Sequence, residues 1–513
     1  MEKSQQIIRL VNTLTKGEKR NFKILASKIG RKDKNYVILF DWIEKKGTLD
    51  VEAFLKKNPS IKKAQIPNLK NNLFKQILRS IREISKESYE EIKTREFFDF
   101  AKILYSKGDY ASALTYLEKA KKLGARIKKS TLIYLATDFE KQIESQHITG
   151  SMNRKALHLA EYSTALISEI QLTNELSNLS LLLYGRYLKK GFARNQRDEG
   201  LLTEFFYDQL PKFDLRDLGY EQKLHLFQSY VWYHYMLRNY AENFKYALKW
   251  LYLFKEYPEM KDIDKTHYLR AFHNVLTALF SANKSEKFLL YFDKLVEIES
   301  NEHLHWLANE IAMFQLFKMI HSINKIFLCV EYEEVGEDLE KYQVVLEKNL
   351  YDWDISRMVV FYYKLACVHF GRTDYEKTLY WLNKIINEHL TDTKEDIQCY
   401  ARILNLITHY ELGNQLHISY QIISTFRFLL KMKQLGTVQR AIFNFLRRSV
   451  KFDRNKMDEE FKRLKEQLEE IMQNVYERKS FLYLDLLSWL DSRINHISMV
   501  EACLLYTSPS PRD

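Results

Sequence analysis

Residues that bend or cross-link a chain are scarce in this sequence. Its 513 residues include only 14 glycines and 6 prolines, which favours long helices joined by short turns over a sandwich or barrel with many tight turns. The 4 cysteines are too few and too scattered for a disulfide framework or a thiolate metal site. We therefore predict a reducing environment and a cytoplasmic location.

Signals for membranes and for common enzyme chemistry are also missing. No uncharged apolar run is long enough to span a bilayer, and the first residues, MEKSQQIIRLVNTLTKGEKRNF, lack the apolar core of a secretion signal. The sequence has no phosphate-binding loop, glycine-rich dinucleotide fingerprint, nucleophile elbow or paired-histidine zinc motif. We therefore expect no membrane segment, no enzymatic activity and no metal or other cofactor.

Two Glu–His pairs have the three-residue spacing of di-iron ligands on a helix. They are Glu144 with His147 and Glu302 with His305. Both pairs lie in polar stretches, ESQH and SNEHLHW, whereas a di-iron site needs further carboxylates and a dry interior. We interpret these residues as surface side chains and not as metal ligands.

What the sequence does contain is helical periodicity. Hydrophobic residues make up 46% of the chain and aromatic residues 14%, which excludes wholesale disorder and suits wide helical layers filled by large side chains. Apolar residues recur at helical spacing through the middle of the chain, and no strand-like alternation persists. The pattern predicts an all-α fold.

The stretch from 97 to 124, FFDFAKILYSKGDYASALTYLEKAKKLG, predicts two helices joined by a turn. Gly108 ends the first helix, and Asp109 is a natural N-cap for the second. The other positions that define the pattern are aromatic, small or apolar at three-to-four spacing: Phe97, Phe100, Ala101, Leu104, Tyr110, Ala113, Leu117 and Ala120. These residues resemble a tetratricopeptide (TPR) repeat.

The same spacing recurs further along the chain. A second copy uses Tyr362, Leu365, Ala366, Tyr375, Thr378, Leu382 and Ile385. In this copy Thr373 replaces the turn glycine and Thr378 the contact alanine. A fainter third unit is suggested by Phe244, Ala247, Leu251 and Phe254. Any helical hairpin with an alanine at the crossing would show a similar pattern, so this alternative stays open.

The resemblance implies a fold and a way of working. Residues 91–500 would form an α-solenoid of antiparallel helical hairpins with capping helices at the C-terminal end. Such a protein is a non-enzymatic scaffold or adaptor that binds a protein or peptide along a groove. The residues that the resemblance places in this groove are Arg95, Phe98, Lys102, Tyr105, Tyr363, Cys367 and Phe370. Arg95 and Lys102 would favour an acidic ligand.

Positive charge is concentrated at the N-terminal end. Residues 1–90 contain 21 Lys and Arg against 10 Asp and Glu, a net charge of +11 within the +12 of the whole chain. This asymmetry predicts a separate basic module with an anionic partner. The first expected helix begins at a capping box of Thr15 and Glu18. Further helices are expected from 34 to 46, near 51–57 and from 67 to 86.

The last of these helices carries the candidate contact residues. One side is apolar, and the opposite side is expected to present Asn68, Asn71, Lys75, Arg79, Arg82 and Lys86. Basic residues at this spacing can follow a phosphate backbone, and asparagine can read base edges. A solvated helix surface or a surface for an acidic protein would have the same pattern. The segment from Phe22 to Leu39 also resembles a DNA-binding helix-turn-helix, although Arg31 falls at a position that such motifs bury.

Two features mark the C-terminal end. A heptad seam of Met457, Phe461, Leu464, Leu468, Ile471 and Val475 predicts either packing on a neighbouring helix or dimerisation. The final residues 503–513, CLLYTSPSPRD, resemble the translated read-through of a transposon adapter, and we expect them to be non-native. The function hypotheses are thus a partner-binding scaffold or a regulator with a nucleic-acid-binding N-terminal module.

Overall fold

A computed structural model describes most of the chain. The described residues are 3–28, 35–85, 89–146, 152–300, 306–332, 336–387, 395–431, 436–449, 454–474, 476 and 485–507. These ranges contain α-helices and short 3-10 turns and no β-strand, which confirms the all-α prediction. His147, Glu302, His305, Lys86, Arg31 and Val475 lie outside the described residues.

The chain divides into two compact units, 1–171 and 172–513. The helices that begin in the first unit are α1 (Lys3–Thr13), α2 (Lys16–Lys28), α3 (Asn35–Lys46), α4 (Val51–Lys57), α5 (Ile66–Ser85), α6 (Glu90–Ser106), α7 (Tyr110–Arg126), α8 (Ser130–Gln146) and α9 (Met152–Lys190). The boundary falls within α9.

The second unit continues with sixteen further helices in the described residues. They are α10 (Gln196–Gln209), α11 (Tyr220–Met236), α12 (Tyr240–Glu256), α13 (Met260–Ile263), α14 (Lys265–Ser281), α15 (Ser285–Glu297), α16 (Ala308–Cys329), α17 (Gly336–Glu347), α18 (Ile355–Gly371), α19 (Tyr375–Ile386), α20 (Glu395–Glu411), α21 (Gln415–Lys431), α22 (Thr437–Ser449), α23 (Arg454–Met472), α24 (Leu486–Ile494) and α25 (Met499–Thr507).

The basic N-terminal segment forms a helical cluster with its own core. The capping box at the start of α2 is present, because the Thr15 amide donates to Glu18 and the Glu18 amide donates to the Thr15 hydroxyl. Helix α5 packs against α1, α2 and α3 and buries Leu73 and Ile77. A second hydrophobic core of the first compact unit begins at Ala101. The predicted boundary near residue 90 lies between these two cores.

Six pairs of consecutive helices share one type of turn, in which the second helix begins two residues after a left-handed residue: α6 with α7, α7 with α8, α11 with α12, α14 with α15, α18 with α19, and α20 with α21. The left-handed residues have φ between 52° and 81° and are Gly108, Lys128, Arg238, Asn283, Thr373 and Gly413. The amide that follows donates to a carbonyl five residues earlier, as in Asp109 to Leu104 and Asp374 to His369. This is the Schellman ending of a helix, so Thr373 occupies the conformation that glycine supplies in the first pair.

The shared turn places an equivalent residue of each second helix in the core. The fifth residue after the left-handed position is buried in all six pairs: Ala113, Ile133, Asn243, Phe288, Thr378 and Ile418. The two polar members are satisfied within their own helix pairs, because the Asn243 amide donates to the Val231 carbonyl at 2.8 Å and the Thr378 hydroxyl donates to the Asp374 carbonyl at 2.8 Å. Polar residues are thus tolerated where the sequence pattern leads one to expect alanine.

The middle of the C-terminal heptad seam is buried within the chain. Leu464 and Leu468 on α23 are inaccessible, and the Phe461 ring lies 5.2 Å from Phe445 on α22 and 5.9 Å from Trp489 on α24. These three side chains therefore pack on neighbouring helices of the same chain, as one of the two predicted alternatives requires. Helix α25 includes the first residues of the predicted non-native tail and buries Cys503, and 508–513 lie outside the described residues.

Candidate partner-binding surfaces

In the first unit the predicted groove residues of α6 meet α8 around Phe139. The Phe98 and Tyr105 rings lie 5.7 Å and 5.4 Å from the Phe139 ring, both edge to face. The Lys102 ammonium lies 5.1 Å from the Phe98 ring centre and 5.5 Å from that of Phe139. We call Phe98, Lys102, Tyr105 and Phe139 the Phe139 cluster.

The Phe139 cluster has the exposure that a binding surface needs. Phe98 and Tyr105 are half-buried and Lys102 is exposed, so apolar area and a cation are both accessible. The Tyr105 hydroxyl donates to the Gln146 side chain at the end of α8, which fixes the ring. Arg95 is exposed and pairs with Glu91 one turn earlier on α6. Aromatic faces beside a cation suit acidic and aromatic side chains of a ligand.

Two of the predicted groove residues of the second unit are buried in its core. Tyr363 and Phe370 on α18 are only 3% and 4% exposed, and the Phe370 ring packs on Tyr375 of α19 at 5.7 Å. The prediction that these two side chains line an open groove was therefore wrong, because they belong to the core. Cys367 is half-buried, and desolvation raises the pKa of its thiol to about 12, so it stays neutral.

A chain of polar side chains joins three helices of the second unit. On α16, the Asn324 amide nitrogen lies 3.3 Å from Nδ1 of His321, and Nε2 of His321 lies 3.0 Å from Nδ1 of His273 on α14. The Lys364 ammonium on α18 donates to Oδ1 of Asn324 at 2.6 Å. We call His273, His321, Asn324 and Lys364 the polar chain.

Lys364 ends the polar chain between two aromatic rings. Its ammonium lies 5.1 Å from the ring centre of Phe280 on α14 and 5.6 Å from that of Phe327 on α16. It has no carboxylate partner among the described residues. Desolvation lowers the pKa of Lys364 to about 8, because the rings replace water without supplying a compensating negative charge. A pKa displaced in this way is a marker of functional sites.

The polar chain was not predicted from the sequence, because its members come from three helices. The signal that could have found part of it is that His321 and Asn324 lie three apart in the stretch MIHSINKIF, which places both on one face of a helix. Lys364 follows the aromatic run FYY, and its contacts with α14 depend on the tertiary arrangement.

Helix α5 exposes most of its predicted contact residues. Asn68, Asn71, Lys75 and Arg79 are exposed along one side, whereas Arg82 pairs with Asp99 of α6 at 3.2 Å. Lys86 lies outside the described residues. The polar side of α5 therefore keeps accessible cations, but Arg82 is partly neutralised.

The helix-turn-helix resemblance is not favoured by the charge of α3. On that helix Asp41 and Glu44 bind Lys23 of α2 at 2.9 Å and 2.8 Å. These two carboxylates place negative charge on α3, which would repel a phosphate backbone that approached this side of the helix.

The described residues offer no other conspicuous site. In the ranges covered by the structure, no three His, Cys, Asp or Glu side chains are grouped to hold a metal ion. No helix in these ranges combines the length and apolar character needed to cross a membrane. Comparison of the chain with protein-family models, with curated proteins and with solved structures finds no match.

Proposed function

We propose that this protein is a non-enzymatic scaffold or adaptor that binds a protein or peptide through TPR-like helical hairpins. The observation that carries the proposal is the Phe139 cluster, in which two half-buried rings of α6 pack on the buried Phe139 ring of α8 beside an exposed lysine. The six equivalent turns support the repeat relationship, because they give each pair the same local geometry. A series of similar hairpins presents successive helices to an extended or helical ligand.

The test is affinity capture from the native cells with two charge-reversal variants. Lys102→Glu should reduce recovery of the bound partner about tenfold or more, because it places a carboxylate where an acidic ligand would approach. Lys119→Glu is the matched control, since Lys119 is also exposed and lies 4.4 Å over an aromatic ring, that of Tyr116 on α7. The proposal would be contradicted if both variants lost recovery equally, or if neither variant lost it.

A second candidate function rests on the accessible cations of α5. We propose as the alternative that this protein is a nucleic-acid-associated regulator, in which the N-terminal helices contact phosphate and the later helices sense a partner. Lys75 and Arg79 are exposed, and neither has a carboxylate partner in the described part of the chain. Basic side chains left unpaired on one helix side can track a nucleic-acid backbone.

Fluorescence anisotropy of the full chain with duplex DNA and single-stranded RNA tests the alternative across a salt series. The double variant Lys75→Glu/Arg79→Glu should weaken binding and lower the slope of log K against log salt by about 2. Lys56→Glu/Lys57→Glu on α4 is the control, because it changes the same charge at two other exposed positions. Binding that is absent at low salt, or equally weakened by both variants, would exclude contact through α5.

A further inference from the structure

The polar chain between α14, α16 and α18 has a fixed hydrogen-bond direction. The Lys364 ammonium can only donate, so the oxygen of Asn324 faces it and the amide nitrogen faces His321. Nδ1 of His321 must then accept, which leaves the proton of a neutral His321 on Nε2. That proton is donated to Nδ1 of His273, and the proton of neutral His273 consequently sits on its own Nε2.

Both histidines are held neutral in this arrangement. Desolvation lowers the pKa of His273 to about 4 and that of His321 well below its ordinary value. The consequence is that the polar chain ends in donors on both sides. At one end Lys364 retains N–H groups that Asn324 does not use, and at the other end His273 presents its Nε2–H.

A second cation lies near the His273 end. Arg270 precedes His273 by one turn on α14, and it is exposed. It has no carboxylate partner among the described residues. Desolvation, followed by the charge of Arg357 on α18, lowers the pKa of Arg270. Among the described residues Arg357 pairs with Asp354, the N-cap of α18, so this carboxylate does not neutralise Arg270.

We propose that the surface formed by α14, α16 and α18 binds an acidic peptide segment, with an Asp or Glu carboxylate of the ligand accepting a hydrogen bond from Lys364. The proposal rests on the proposed function in taking the ligand to be a peptide. Charge complementarity selects the ligand: unused donors at both ends of the polar chain and the unpaired Arg270 require an acceptor that carries negative charge. The rings of Phe280 and Phe327 supply apolar contacts beside the carboxylate.

Two pools of fluorescein-labelled synthetic peptides test this proposal. The pools have the same apolar flanking residues and differ only in a central glutamate or its neutral isostere glutamine. Titrated with the full chain, the glutamate pool should bind about tenfold or more tightly than the glutamine pool, because an ion pair shielded from water is lost in the isostere. Lys364→Met should remove this preference, since methionine keeps the aliphatic stem between the rings and removes the charge.

Lys384→Met is the matched control variant. Lys384 on α19 also lies over aromatic rings, 4.9 Å from that of Tyr380 and 5.4 Å from that of Trp381, but it has a carboxylate 4.0 Å away on Glu347. This variant should retain the preference for glutamate. Equal affinity of the two pools for the unmodified chain, or a preference that survives Lys364→Met, would overturn the proposal.

A measurement on the unmodified chain covers the case in which Lys364→Met fails to fold. Mass spectrometry of amine acetylation should show that the glutamate pool slows labelling of Lys364 about tenfold relative to the glutamine pool. Equal labelling rates would contradict the carboxylate site. These failures would leave the partner-binding proposal standing, because that proposal is decided by the Lys102 and Lys119 variants on a different surface.

Discussion

Replacing Glu411 by alanine should lower the free energy of unfolding of the second unit by about 3 kcal/mol. The Glu411 side chain at the end of α20 is only 2% exposed. It accepts hydrogen bonds from Trp489 Nε1 at 2.7 Å and Arg493 Nε at 3.0 Å on α24, and from the Tyr375 hydroxyl of α19 at 3.4 Å. Alanine leaves these three donors without their acceptor, and urea unfolding followed by tryptophan fluorescence measures the cost.

Two controls separate this contact from a general effect of losing a glutamate. Glu411→Gln keeps an amide oxygen that can accept from Trp489 or Arg493, so its cost should be about half that of alanine. Glu376→Ala on α19 removes an exposed carboxylate, and its effect should stay within about 0.5 kcal/mol. If Glu411→Ala were as stable as the Glu376 variant, Glu411 would not hold α24 against α20.

Lys364→Met should change how the stability of the second unit depends on pH. The folded pKa of Lys364 is about 8, below the ordinary value of 10.5 for a lysine, so the folded state disfavours the ammonium. Between these two values the unfolded chain binds more protons than the folded chain, and stability rises with pH. Below about pH 8 the full penalty for the desolvated charge is present. Methionine removes that penalty and should stabilise the protein at pH 7 by roughly 1–3 kcal/mol.

The difference in unfolding free energy between the unmodified chain and Lys364→Met reports the titration of Lys364 separately from that of the other groups. His273 and His321 stay neutral in this window because their pKa values are lowered, and the Cys367 thiol stays protonated because its pKa is raised to about 12. Urea unfolding at several values between pH 7 and 10 should therefore show the advantage of Lys364→Met shrinking as pH rises. An advantage that is constant or grows with pH would show that Lys364 is not held as a desolvated cation.

Local sequence signals predicted the helices well where each signal and its structure lie within a few residues. The capping box of Thr15 and Glu18, the N-cap Asp109 and the buried positions Ala113 and Leu117 are all present in the structure. These features depend on the 3.6-residue period and on end-capping chemistry, which the sequence displays directly. The pair α14–α15 was missed because Asn283 makes its turn and Phe288 takes the place of the contact alanine.

The candidate sites were harder to predict because exposure depends on which helices pack together. Phe98 and Tyr363 occupy equivalent positions in their repeats, yet Phe98 is half-buried and Tyr363 is in the core. The polar chain also required three helices to meet, and no spacing along the chain brings His273, His321 and Lys364 into one window. The sequence therefore predicted the type of element but not which surface stays open.

The central claim is that a partner contacts the Phe139 cluster, and site-specific photo-crosslinking in the native cells tests it most directly. A benzoylphenylalanine at position 98 on α6 should give a discrete crosslinked protein, and Lys102→Glu in the same chain should abolish this product. The same probe at position 116 on α7, where Tyr116 lies beneath Lys119, should not give it. The absence of a crosslink from position 98, or an equal crosslink from position 116, would contradict the account.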